Sequence, residues 1–278
     1  MPHVEKVEGA GFCLGVRRAI EMVERALEEG KVYTLGPVVH NPRVVEELER
    51  KGVRVVRDVG EAKDGTLIIP SHGAGPRVYE EKRVKIIDAT CPFVMRTKRM
   101  AKKLADQGFF VIIFGDSEHT EVKGIIEWIE GKGKAMERTP KEKLPRRIGI
   151  LSQTTKPLKE FYAFVDEILS SSLGELLEVR IINTICRATR ERQEKSLKLA
   201  QKSDLMIVIG GKNSANTKNL ANLCREIGVE TYHIERASEI EPSWIKDKEF
   251  IGITAGTSTP EEEVEEVYMR IKNIGEGV

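Results

Sequence analysis

The chain is poor in the features that announce most function classes. It has four cysteines in 278 residues. None stand in C-x-x-C spacing, which argues against zinc ribbons, thioredoxin-like redox pairs and bacterial ferredoxin clusters alike. Scattered from Cys13 to Cys224, they do not read as a disulfide framework, because cytosolic thiols stay reduced. No apolar run is long enough to cross a bilayer, and Met1-Pro2-His3-Val4-Glu5-Lys6 lacks the charged-then-apolar plan of a signal peptide. A cytoplasmic protein is expected. An excess of either charge is missing too, with 45 basic against 44 acidic side chains, so no global field draws the chain to nucleic acid or membrane and neither is expected as a partner. Glutamine occurs only four times while charged residues make up 32%, a bias shared with heat-adapted proteins.

What is present is a repeated junction. The apolar run Val84, Ile86, Ile87 ends in Asp88-Ala89-Thr90-Cys91-Pro92, and a helix with apolar positions Val94, Ala101, Leu104 and Ala105 follows. Gly9-Ala10-Gly11-Phe12-Cys13 precedes a helix with Val16, Ala19, Ile20, Val23 and Leu27 on one face. Ile181-Ile182-Asn183-Thr184-Ile185-Cys186 precedes another, ending in Leu197 and Ala200. Each cysteine therefore sits at a strand-to-helix junction, where helix dipole and unpaired N–H groups favour a thiolate.

Beyond each cysteine the same succession returns: a helix, an apolar strand, a polar loop, a second helix. The loops carry His40 at 27 residues after Cys13, His119 at 28 after Cys91 and Ser214 at 28 after Cys186. A further strand in each unit ends in Ser71-His72-Gly73, Gln153-Thr154-Thr155 or Thr257-Ser258-Thr259. This long period predicts three pseudo-threefold-related α/β units, residues 1–90, 91–184 and 185–278, with parallel sheets in a trefoil-like arrangement around a central site. The first strand, near Val4 to Val7, and the last, Phe250 to Ile253, would close the ring. Ligands of such sheets bind beyond the strands' carboxyl ends, which every polar loop here leaves.

Three converging thiolates would select zinc, copper(I) or iron–sulfur, and a [4Fe–4S] cluster on three cysteines would keep one iron open for substrate. Cys224 lies inside an amphipathic helix and reads as a small apolar side chain. His40, His72 and His119 occupy equivalent loops, whereas His3 and His233 share no such context. With Ser71, Thr154, Ser214, Asn216 and Ser258 at helix openings, the histidines suit a phosphate or diphosphate; Ser214 and Ser258 read equally as helix caps. Glu121, in a first turn beside His119, is either a dipole partner or a proton donor whose pKa burial would raise. The basic run Arg96 to Lys103 reads as the solvated face of a helix. A zinc-dependent hydrolase and a non-enzymatic redox sensor remain open on these residues alone.

The motifs Gly11-Phe12-Cys13-x-Gly15-Val16, His40-Asn41-x-x-Val44-Val45, Ser71-His72-Gly73, Asp88-Ala89-Thr90-Cys91-Pro92, His119-x-Glu121-Val122-x-Gly124, Gln153-Thr154-Thr155, Thr184-Ile185-Cys186-x-Ala188-Thr189, Lys212-Asn213-Ser214-x-Asn216 and Ser258-x-Pro260 occur in this order. Together they resemble the LytB-type 4-hydroxy-3-methylbut-2-enyl diphosphate reductases, which end the non-mevalonate isoprenoid pathway. The resemblance implies a [4Fe–4S] cluster on Cys13, Cys91 and Cys186 whose free iron binds the substrate hydroxyl, lost as water to give isopentenyl and dimethylallyl diphosphate. It implies that His40, His72, His119, Thr154, Ser214, Asn216 and Ser258 bind the substrate. It also implies that Glu121, with Thr154 and His119, handles protons, and that a ferredoxin or flavodoxin donates electrons. The sequence departs from the family pattern at Ala215, where a serine is frequent, at Thr120, where a proline is, and at Asn183, where an aspartate is.

Overall fold

The computed structural model describes residues 2–276. In chain order its strands are β1 (His3–Lys6), β2 (Val32–Leu35), β3 (Arg54–Val56), β4 (Thr66–Ile69), β5 (Lys85–Asp88), β6 (Phe110–Phe114), β7 (Gly133–Met136), β8 (Arg147–Ser152), β9 (Glu178–Ile182), β10 (Leu205–Ile209), β11 (Glu230–Ile234) and β12 (Phe250–Ala255). Its helices are α1 (Leu14–Glu29), α2 (Pro42–Arg50), α3 (Pro92–Asp106), α4 (Thr120–Trp128), α5 (Leu158–Ser172), α6 (Arg187–Ala200), α7 (Ala215–Glu226), α8 (Pro242–Ile245) and α9 (Glu261–Glu276).

The strands form three four-stranded sheets, ordered β3-β2-β4-β5, β7-β6-β8-β9 and β11-β10-β12-β1. Every pairing is parallel. The three orders are one topology: the first strand of each unit lies between the second and the third, and the fourth flanks the third. The last sheet takes its fourth strand from the start of the chain, with Val4 opposite Ile251 and Lys6 opposite Ile253. Three α/β units with parallel sheets, and a first strand joined to the last, are what the sequence predicts. In this order the winding reverses between first and third strands, so the crevice for a ligand opens where their loops part.

The chain divides into two compact units. One comprises Met1–Arg17, Val39–Leu48 and Arg187–Val278 and holds the β11-β10-β12-β1 sheet; the other comprises Arg18–Val38 and Glu49–Cys186 and holds the other two sheets. In the first unit all five side chains of β10 are buried. Leu205, Ile207 and Ile209 pack with Ile251, Ile253, Val264, Val267 and Ile271 on one face. Met206 and Val208 meet Leu199, Leu220, Ala221 and Cys224 on the other. Covering on both faces is why such a strand reads as an unbroken apolar run. Cys224 is the core thiol its helix position predicts, and burial pushes its pKa up to about 11.

In the second unit Val111 and Ile113 pack against α3 and α4, while Ile112 and Phe114 face Phe161, Phe164 and Ile168 of α5. Leu67 of the neighbouring sheet packs with Tyr33, Val56, Ala62 and Val84. Two helix faces differ from expectation. On α6 the buried face is Thr189, Arg192, Gln193, Ser196, Leu199 and Ala200, largely polar, with Leu197 only half-buried. On α3 Arg96, Arg99 and Lys103 are exposed, but Lys98 is buried, its amine 4.6 Å from the Trp128 ring centre and 5.0 Å from that of Tyr79. The reason is periodicity: position 98 shares its face with buried Val94, Ala101 and Ala105, and the aromatic rings take the cation.

Replacing Ile207, central in β10, by alanine should lower stability by about 2–5 kcal/mol, seen as a lower urea midpoint with an unchanged slope.

Candidate functional site

The three junction cysteines share one backbone device. Each fourth strand, β1, β5 or β9, leads to a cysteine immediately before a helix: Cys13 before α1, Cys91 as N-cap of α3, Cys186 before α6. Each cysteine N–H donates to the carbonyl two residues past the adjacent third strand. Cys13 donates to Thr257 at 3.0 Å, Cys91 to Ser71 at 2.9 Å and Cys186 to Thr154 at 2.9 Å. The turns into the last two match as well. Asp88 Oδ1 accepts from the Thr90 N–H at 2.9 Å, and Asn183 Oδ1 accepts from Ile185 at 3.0 Å. An amide oxygen makes this turn as well as a carboxylate does, so the departure at Asn183 leaves the local geometry intact. All three cysteines are half-buried and free of disulfides.

In the second unit the loops after β6 and β8 lock together at the winding reversal of their sheet. The Gln153 N–H donates to the Phe114 carbonyl at 2.9 Å and its side-chain oxygen accepts from the Asp116 N–H at 3.1 Å. This sets Glu121 against Thr154. One carboxylate oxygen accepts the Thr154 N–H at 2.8 Å and the other its hydroxyl at 2.7 Å. Glu121 is only 3% exposed, and burial raises its pKa while the two bonds from Thr154 pull it down. His119 is the N-cap of α4, its Nδ1 accepting from the Glu121 N–H at 3.2 Å. The neutral ring therefore carries its proton on Nε2, as a donor. That cap starts α4 at Thr120, two residues before the sequence-predicted Val122. His72 is buried, and Ser71 spends its hydroxyl on the Val38 carbonyl at 2.9 Å.

In the first unit three loops meet at the His40 backbone. The Ser258 hydroxyl donates to the His40 carbonyl at 3.4 Å. That carbonyl also lies so near Gly211 that a Cβ there would stand 2.5 Å from it, which is why the loop after β10 carries glycine. The Ser214 N–H donates to the Gly211 carbonyl at 2.9 Å, and the Ser214 hydroxyl caps α7. Asn216 is buried with its side-chain N–H group unpaired among the described residues, an orphan donor suited to an anionic acceptor. Burial lowers the pKa of His40, keeping it neutral near pH 7. The structure thus brings Glu121, Thr154, His119 and the Cys186 backbone together in one unit, and His40, Ser214, Asn216 and Ser258 in the other.

Sequence reasoning missed several buried polar groups around these loops. Asn41 bridges them, its oxygen capping the Arg43 and Val44 N–H groups and its nitrogen donating to Glu263 at 3.3 Å. Tyr79 donates to Asp88 at 2.9 Å and accepts from Lys98 at 3.2 Å, linking α3 to the Cys91 turn. Arg192 donates to three carbonyls near Cys13. For Arg192 the signal was readable: Thr189, Gln193 and Ser196 place polar side chains on one helical face where apolar ones would be expected.

Among the described residues no three His, Cys, Asp or Glu groups stand together as a single ion requires. A zinc site needs its ligands converging on one atom. A cluster instead gives each thiolate its own iron, and each of the three thiols lies at a helix opening. Among the described residues no helix is long and apolar enough to cross a membrane.

Fold and loops together define a class: an α/β protein with free thiols at helix openings and, at the carboxyl ends of its strands, donors suited to an anion. The chain belongs to the LytB protein family, whose profile matches residues 4–272. It is 45% identical over 275 residues to the 4-hydroxy-3-methylbut-2-enyl diphosphate reductase of Geobacter metallireducens, covering 95% of each chain. It is 44% identical over 283 residues to that of Dehalococcoides mccartyi, covering 99% of each. Among solved structures, the E-1-hydroxy-2-methyl-but-2-enyl-4-diphosphate reductase of Plasmodium falciparum matches with a TM-score of 0.89 at 27% identity, over 96% of this chain and 87% of the other. A structure of (E)-4-hydroxy-3-methyl-but-2-enyl diphosphate reductase, described as the terminal enzyme of the non-mevalonate pathway, matches with a TM-score of 0.69 at 41% identity, over 98% and 100%.

The Glu263 carboxyl, which holds the Asn41 side chain, is pushed by burial from 4.5 up to about 7, against the Asn41 bond and the Arg43 charge. A carboxyl raised in the folded state stabilises it at low pH and loses that contribution as pH rises through the folded value. Glu263→Gln is therefore expected to be more stable than the parent at about pH 8, by on the order of 1–3 kcal/mol, with the difference shrinking toward about pH 4.5. Thermal melts across this range check it; an equal gap at both ends would contradict the assignment.

Proposed function

We propose that this chain reduces (E)-4-hydroxy-3-methylbut-2-enyl diphosphate to isopentenyl and dimethylallyl diphosphate, the last step of the non-mevalonate isoprenoid pathway. Two electrons and two protons enter, the C–O bond breaks and the hydroxyl leaves as water. Cys13, Cys91 and Cys186 would hold a [4Fe–4S] cluster at the centre of a trefoil of three units, residues 1–90, 91–184 and 185–278. When bound, that group supplies the electrons and an iron with an open position for the substrate hydroxyl. Family membership, and relatives of near-equal length bearing this name, support the reading.

The chain's own residues have defined tasks. His40, His72, His119, Thr154, Ser214, Asn216 and Ser258 would bind the diphosphate through neutral donors, which hold an anion without strong discrimination between its ionisation states. The single observation that carries the chemistry is the Glu121–Thr154 pair. Burial favours the neutral acid, so Glu121 enters the cycle holding a proton, and Thr154 fixes which way its carboxyl faces. His119, tied to the Glu121 backbone, is placed to assist. A ferredoxin or flavodoxin in the cytoplasm is proposed as the electron source.

Anaerobically purified protein should be brown, carry about four irons per chain, and oxidise a reduced dye only when given the hydroxylated diphosphate. Colourless, iron-free yet active protein would overturn the reading and favour hydrolytic chemistry. Glu121→Gln should lower turnover about 100-fold or more, the scale of a lost general acid, while added substrate still perturbs the visible spectrum. Normal turnover in that variant would remove Glu121 from proton delivery.

A further inference from the structure

Arg192 on α6 is the sole buried arginine among the described residues, 8% exposed. Its guanidinium donates to the Ala255 carbonyl at 2.6 Å, the Gly9 carbonyl at 2.6 Å and the Gly11 carbonyl at 3.1 Å. Those three carbonyls belong to the end of β12 and to the loop that delivers Cys13. The loop needs holding: Gly11 has φ +144°, open to glycine, and a Cβ there would stand 2.4 Å from Glu261. The Cys13 N–H is itself fastened to Thr257, two residues beyond Ala255. Arg192 thus clamps both partners of the bond that seats Cys13.

The charge is the second half of the observation. Among the described residues no carboxylate pairs with Arg192, although ion pairs are abundant elsewhere on the chain. Neutral carbonyls satisfy its hydrogen bonds but do not neutralise it, and a buried cation without a counter-charge is costly. Burial lowers the pKa of Arg192 while the neighbouring Cys13 sulfur raises it. A fixed cation beside a thiolate-bound centre favours whichever state carries more negative charge.

We propose that Arg192 is a positioning residue for the metal centre: it fixes the Gly9–Cys13 loop in its ligating conformation and acts as the buried counter-charge that makes the centre easier to reduce. This rests on the reading that Cys13 is a cluster ligand. No atom is transferred to or from Arg192, which keeps its proton throughout.

The test uses the cluster-loaded protein and two variants. Arg192→Lys keeps the charge but cannot span three carbonyls. Arg192→Gln keeps part of the hydrogen bonding and loses the charge. Two quantities are read besides turnover: the midpoint potential by spectroelectrochemical titration, and the rate of iron release to a chelator. Arg192→Lys is expected to keep the parent's potential and release iron several-fold faster; Arg192→Gln is expected to release iron faster and shift to a more negative potential. A merely structural residue would speed release in both variants and move the potential in neither, and that result overturns the counter-charge. Should Arg192→Gln fail to load, Arg192→Lys decides alone. Faster release at the parent potential then supports the positioning of the Gly9–Cys13 loop, and release at the parent rate, or a potential lowered despite the retained charge, overturns the proposal. If the parent itself binds no iron, the ligand assignment falls, and the failure is then in the proposed function rather than in Arg192.

Discussion

The backbone hydrogen bond from a cysteine N–H to the carbonyl beyond the neighbouring strand, made at Cys13, Cys91 and Cys186, is the constraint on which the remaining features depend. It exists because each fourth strand runs parallel to a third strand and ends level with it, so the two loops that leave them stay within bonding distance. It places a thiol at the first residue before a helix, where the dipole and unpaired N–H groups favour negative charge. At Cys186 the same bond reaches Thr154, whose N–H and hydroxyl hold Glu121. One backbone contact thereby couples the position of a cysteine to the orientation of a buried carboxyl.

Burial then sets the protonation of the groups around it. Desolvation pushes Glu121 toward its neutral form, against the two bonds from Thr154, and His40 toward its neutral form as well. Among the described residues the two buried cations are accommodated differently. Lys98 lies against two aromatic rings and donates to Tyr79. Arg192 is held by carbonyls.

Much of this was legible along the chain. The strands Val32–Leu35 and Leu205–Ile209 were readable to the residue, because a strand buried on both faces writes itself as an apolar run. The near-equal offsets from Cys13 to His40 and from Cys91 to His119 expose the repeat. Less legible was Lys98, a charged residue on a helix where the default reading is a solvated face. Glu263 was invisible for the same reason, standing in an acidic first turn of α9 that reads as dipole compensation. Each is buried because of what packs against it, which no local pattern records.

The sequence by itself determined the periodicity: which segments are strands, where helices open, which thiols recur in one context and which, like Cys224, belong to a core. These properties are local, written in the spacing of apolar side chains and in cap residues a few positions apart. Only the tertiary structure decided that Thr154 holds both oxygens of Glu121 and that Arg192 reaches the carbonyls of Gly9, Gly11 and Ala255. Those contacts join residues tens to hundreds of positions apart, and a hydrogen bond depends on distance and direction in space, quantities that arise only once the sheets have closed.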